Sequence, residues 1–159
     1  MLASVCAVAA YAVFAVASAR LAVVDLRERR LPNRWLAGTT LAVAALLLAA
    51  AALGGAWSRL WSAFGAGAVY GVGFALLWCA APRVLGGGDA KLAPLAGIAA
   101  GWVGPWAAFA WTPIGIAVCG GIAGAWALLR GRRELAYGPV ILTGSWLGIL
   151  AGVVAATGA

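Results

Sequence analysis

The chain has 159 residues, of which 65% are apolar before its 23 glycines are counted, and only 9% are charged. Soluble domains reach about 45 to 50% apolar with glycine included, so a water-soluble fold is excluded. Eleven Lys and Arg against four acids give a net charge of +7, and the absence of His removes Ser-His-Asp and Cys-His catalysis and nearly every zinc hydrolase site.

The first apolar run, residues 2–24, contains the small-residue stretch Val16-Ala17-Ser18-Ala19, but its first basic residue is Arg20. A secretory signal needs an early basic region, so a permanent span is expected here. A polar loop over 25–34 follows, in which Leu31-Pro32-Asn33 interrupts any helix because proline has no amide donor. Span two is expected over 35–53, a turn over 54–59 and span three over 60–81. Next comes 82–91, whose Pro82 and three consecutive glycines, Gly86, Gly87 and Gly88, exclude the middle of a lipid-facing helix. Span four is expected over 92–110, then a tight turn at Trp111-Thr112-Pro113. Span five ends at 129, a loop covers 130–134, and span six covers 139–156. Six spans of about 20 residues use about 120 positions and leave about 40 for loops, with no room for a separate soluble domain. The expected fold is all-α: a polytopic bundle of six transmembrane helices forming one domain over residues 1–159.

Lys and Arg are retained on the cytoplasmic side of a membrane. The loops after spans one, three and five carry Arg27, Arg29, Arg30, Arg34, Arg83, Lys91, Arg130, Arg132 and Arg133, whereas those after spans two and four carry Arg59 alone. The odd loops are therefore expected inside and both termini outside. Trp35, Trp57, Trp61 and Trp111 fall near span boundaries, as interfacial anchors do. Glycines four apart (Gly67 and Gly71, Gly97 and Gly101, Gly120 and Gly124, Gly144 and Gly148) allow close helix approach in lipid, so a compact monomer is expected. Cys6, Cys79 and Cys119 form no CxxC pair and read as small buried hydrophobes. The expected surroundings are membrane lipid, with no nucleic-acid-binding face.

Without His, the groups able to carry chemistry are Asp25, Glu28, Asp89, Glu134, Lys91 and the arginines. Asp25 closes span one and Asp89 precedes span four, so a bundle that joins these ends brings two carboxyls together. Two close carboxyls do not both ionise easily; one keeps a proton while the other activates water. Asp25 at the C-terminal end of its helix is expected to be the protonated member, and Asp89 at a helix start the carboxylate. Lys91 is expected to hold Asp89 ionised or to hold substrate carbonyls. The three glycines before Asp89 are expected to adopt positive φ or to admit a close neighbour. Glu28 and Glu134 are candidates for contact with a basic peptide.

Asp25 followed by Leu31-Pro32-Asn33, then Gly86-Gly87-Gly88-Asp89-Ala90-Lys91-Leu92, then Tyr137-Gly138-Pro139 resembles the type IV prepilin peptidase family of GxGD intramembrane aspartyl proteases over essentially the whole chain. The resemblance implies that Asp25 and Asp89 are catalytic. It also implies that Gly86, Gly87, Gly88 and Lys91 form the active-site loop and that Glu28, Pro32, Asn33, Tyr137, Gly138 and Pro139 lie near the substrate. No metal or other cofactor is implied. The implied substrate is a pilin-like precursor, cut at the cytoplasmic face of a prokaryotic inner membrane between a short basic leader and an apolar helix. The chain looks like a short form without the CxxC-bearing methyltransferase segment, and it has Ala136 where family members often have proline. The competing readings are a small membrane transporter and a non-catalytic pilus or secretion assembly partner. A transporter predicts acids near mid-bilayer rather than at span ends.

Overall fold

The computed structural model describes residues 1–28, 32–80, 86–130 and 137–158. Its helices are α1 Leu2–Glu28, α2 Asn33–Gly54, α3 Trp57–Ala80, α4 Gly87–Val103, α5 Thr112–Leu129 and α6 Tyr137–Thr157, with a π-helical turn, Ala107–Trp111, running into α5. No strand occurs among the described residues. Lipid offers no partner for backbone amides and carbonyls, and helices satisfy them internally. Among the described residues, five helical stretches are long and apolar enough to cross a membrane: α1, α2, α3, Ala107–Leu129 and α6. The protein is an all-α polytopic membrane protein, as its composition requires.

The sixth helix, α4, has 17 residues, and eleven of them are buried. It is the helix the others enclose, and small residues let them approach it. A Cβ at Gly97 would lie 2.7 Å from the Ala66 carbonyl oxygen, and one at Gly101 would lie 2.5 Å from that of Ser62, so α3 and α4 meet nearly backbone to backbone. Gly144 and Gly148 do the same for α6 against Ile116 and Thr112 of α5. Gly124, by contrast, faces nothing within 4 Å and Gly120 makes only an ordinary contact, so that pair does not join helices here. The larger core side chains, Phe14, Val43, Leu47, Leu92, Leu95 and Ile141, fill the space between α1, α2, α4 and α6. The Trp146 ring stacks on Phe14 at 5.1 Å. Trp35, Trp57, Trp61 and Trp111 are all exposed, in keeping with anchoring at an interface. Against the expectation of buried cysteines, Cys79 is exposed and Cys6 and Cys119 are only partly buried.

The elements differ from the sequence expectation in two ways. The helices extend into segments read as loops: α1 continues through Asp25 to Glu28, and α4 starts at Gly87 rather than at 92. First-turn amides need no helical acceptor, so glycines, or the Pro139 of α6, cost little there. The turn expected at Trp111-Thr112-Pro113 lies instead at Gly104, whose positive-φ backbone (φ 157°, ψ 168°), open to glycine and strained for other residues, ends α4. Pro113 sits inside the following helix. The π turn just before it, where the Thr112 amide reaches the Ala107 carbonyl, widens the backbone and relieves the clash a proline ring makes with the preceding turn.

Candidate active site

The buried positions of α1 are Ala10, Phe14, Ser18, Leu21 and Asp25, one stripe at helical spacing whose last member is an acid. Asp25 is 7% exposed, and its Oδ2 accepts a hydrogen bond from the Gly138 amide at 3.1 Å. Gly138 is the second residue of α6, where an amide has no acceptor within its own helix. A Cβ at position 138 would lie 2.6 Å from that oxygen and 2.9 Å from Cγ, so only glycine lets the carboxyl reach the helix start.

Asp89 is also 7% exposed and is the third residue of α4. Its Oδ2 accepts from the Gly86 amide at 3.2 Å, the return bond of a capping box, with Gly86 as the residue flanking the helix. Gly86 has φ −71° and ψ 145°, and Gly87 and Gly88 are helical, so none of the three uses positive φ. What Gly86 provides is space: a Cβ there would lie 2.9 Å from Asp89 Oδ2. A Cβ at Gly87 would rest against the Trp78 ring at 3.6 Å, an ordinary contact.

The Gly138 bond joins the C-terminal end of α1 to the start of α6, and the charge of Asp25 acts on Asp89, which brings the start of α4 to the same end of the bundle. The start of α2 joins them, because the Lys91 ammonium donates to Asn33 Oδ1 at 3.0 Å. Pro32 caps α2 in an extended conformation beside Asn33. Tyr137 opens α6, Pro139 follows in its first turn, and Glu28 is exposed three residues beyond Asp25. Arg29, Arg30, Leu31, Arg83, Arg132, Arg133, Glu134 and Ala136 lie outside the described residues.

Asp89 lies in the first turn of α4, ahead of the apolar stretch that begins at Leu92. Burial, then the charge of Asp25, push its carboxyl up to about 6, opposed in part by the Gly86 amide. The two acids are therefore close enough to act on each other, and Asp89 is the one inclined to keep a proton. This runs against the expectation that Asp89 is the carboxylate. The dipole argument counted α1 alone and did not include the bond from the start of α6 to Asp25. Lys91 is not among the groups acting on Asp89; its partner is Asn33. The Gly138 contact was not legible beforehand, since nothing near Asp25 in sequence announces a partner 113 residues away.

The model of the type IV leader peptidase family matches residues 12–157, and the chain belongs to that family. No curated protein and no solved structure matches it.

Proposed function

We propose that this type IV leader peptidase is an aspartyl endopeptidase that removes the short basic leader from prepilin-like precursors at the cytoplasmic face of the inner membrane, with Asp25 and Asp89 as one acid-base unit. The observation that carries the proposal is the pair itself: two buried carboxyls at the same end of the bundle, interacting electrostatically and held by different helix starts. Both lie at helix ends and not at mid-span, which suits a reaction at the membrane surface better than transport through it.

In the proposed reaction the Asp25 carboxylate takes a proton from water as the water oxygen attacks the scissile carbonyl carbon. Asp89 gives its proton to the carbonyl oxygen, yielding a tetrahedral gem-diol. Collapse of that intermediate breaks the carbon–nitrogen bond, the departing amine takes the proton held by Asp25, and Asp89 recovers its own from the gem-diol hydroxyl. No metal or other cofactor takes part. The cytoplasmic placement is supported by the distribution of basic residues, and a monomer by the use of three of the four glycine pairs inside the bundle.

Asp25→Asn and Asp89→Asn are each expected to lower processing of a co-expressed precursor by about 10²- to 10⁴-fold while the protein still accumulates in the membrane. The double variant should be no worse than either single one, since the two act as a unit. Amino-terminal sequencing of the product checks the cut, and near-normal processing by either single variant rejects the mechanism.

A further inference from the structure

The Gly138 bond to Asp25 is not the whole of the polar contact between α1 and α6. Deeper in the bundle the Trp146 indole N–H donates to the Ser18 hydroxyl oxygen at 3.3 Å. Ser18 is 7% exposed, and the Trp146 ring lies against α1, 5.1 Å from the Phe14 ring and 6.4 Å from that of Tyr11. Tyr11 in turn donates to the Ala99 carbonyl of α4 at 2.6 Å. Tyr11, Phe14, Ser18 and Asp25 follow one another at intervals of three, four and seven residues, so they share one face of α1. That face is thereby tied to both helices whose starts hold the other parts of the site, Asp89 on α4 and Gly138 on α6.

The two α1–α6 bonds match in spacing. Ser18 precedes Asp25 by seven residues, about 10 Å of helix rise, and Trp146 follows Gly138 by eight, about 12 Å. Since α1 arrives at the site and α6 leaves it, the helices run antiparallel and both bonds close in the same register. A slip of one turn, about 5.4 Å, would break both. This register needs a polar mark. The α6 glycines that interlock with another backbone, Gly144 and Gly148, face α5 and not α1. In lipid a helix pair is set by packing and by interhelical hydrogen bonds, and the alanine- and valine-rich α1 offers few large side chains to fix its position by packing alone.

We propose that Trp146 is a positioning residue for Asp25: its bond to Ser18 fixes the register of α1 on α6 that brings the Asp25 carboxyl to the Gly138 amide. The consequence for catalysis rests on the peptidase reading above, whereas the positioning itself does not. Asp89 needs no such support, because its cap forms within its own helix start.

The test compares Ser18→Ala and Trp146→Phe, which keeps an aromatic ring against Phe14 while removing the N–H. Ser145→Ala is the control, since the Ser145 hydroxyl is fully buried but donates within its own helix, to the Ile141 carbonyl. The full chain, with isotopically labelled glycine, is placed in phospholipid nanodiscs without substrate, and amide hydrogen exchange is read at Gly138 and Gly86. Ser18→Ala and Trp146→Phe should each speed exchange at Gly138 about tenfold and leave Gly86, held by the local Asp89 cap, unchanged. On a model precursor with a basic leader and an apolar helix, each should lower kcat about tenfold with KM unchanged. The double variant should be no worse than the worse single one, because both act through one bond. Ser145→Ala should leave the exchange and kcat as they are. Unchanged exchange at Gly138 in Ser18→Ala, an equal rise at Gly86, a loss carried by KM instead of kcat, or Ser145→Ala behaving like Ser18→Ala overturns the proposal. A wild-type chain that never cuts the precursor, with Gly138 exchange faster only in the Ser18 and Trp146 variants, would instead remove the peptidase reading and leave the positioning standing.

Discussion

Asp25 and Asp89 are the same residue type with the same 7% exposure, yet they are held in opposite ways. Asp89 is supported locally, by an amide three residues upstream in its own helix cap. Asp25 is supported at a distance, by an amide on another helix 113 residues away. A local cap forms with its helix, whereas a remote one exists only when α1 and α6 are correctly packed. The acid that depends on tertiary structure thus receives a free amide from a neighbouring helix start, a contact that the dipole of its own helix does not include.

The largest effect on this contrast should come from the glycines that give each acid its space. Gly138→Ala puts a methyl 2.6 Å from Asp25 Oδ2, against a carboxyl fixed in a buried helix, so α1 and α6 must separate or the carboxyl must leave the amide. Displacements of this size cost about 10²-fold in activity. Gly86→Ala meets Asp89 Oδ2 at 2.9 Å, but position 86 is exposed and precedes the helix, so the cap can shift; about 10-fold is expected. Steady-state cleavage of a precursor by the two variants checks the order. Equal losses would remove the distinction between remote and local support.

A second distinction is in pH dependence. A free aspartate titrates near 3.8, whereas the fold holds Asp89 near 6. Folding therefore favours the protonated acid. The Asp89 contribution to stability is full below the ordinary aspartate range and is lost as pH rises through about 6. Asp89→Asn should consequently unfold at a higher temperature than the wild type at neutral pH, with the difference shrinking on acidification. In activity, the singly protonated pair is the working form, so kcat/KM should fall on the alkaline side with an apparent value near 6 that belongs to the pair. Asp25→Asn removes the like charge but not the burial, so infrared titration of the remaining carboxyl should give a value lower than in the wild type and still above the ordinary range. An Asp89 carboxyl unmoved by Asp25→Asn would mean that the two acids do not interact.

Much of this was legible in the sequence. Hydropathy gave the helices, and the lack of His together with Gly86-Gly87-Gly88-Asp89 pointed to paired carboxyls. The turn at Gly104 has a signal too, because Gly104-Pro105 is a stronger turn dipeptide than Thr112-Pro113, but hydropathy continues across both and masks it. Spacing could not show which glycines meet another helix: Gly97 and Gly101 do, whereas Gly120 and Gly124 share the same period and do not. The partner of Asp25 was hidden because it is a backbone amide, made available by helix geometry and by the absence of a side chain at position 138.

The smallest effect concerns Lys91, which sequence proximity paired with Asp89 and the structure pairs with Asn33. The ammonium and the Asn33 side-chain oxygen are 3.0 Å apart with both residues exposed, so the bond ties the start of α4 to the start of α2 without reaching into the carboxyl site. A hydrogen bond to a charged donor contributes about 1.5 to 3 kcal/mol when well sheltered and less in water, so Lys91→Met and Asn33→Ala should each cost only about 2- to 5-fold in kcat/KM. If the two residues act through their bond, the double variant should be no worse than either alone. The alkaline limb of the pH profile should also stay where it is, because burial and Asp25 set the Asp89 value. A limb that moves with Lys91→Met but not with Asn33→Ala would show that the lysine charge acts on Asp89 after all. The lysine would then draw the local acid toward its charged form, against burial and the charge of Asp25.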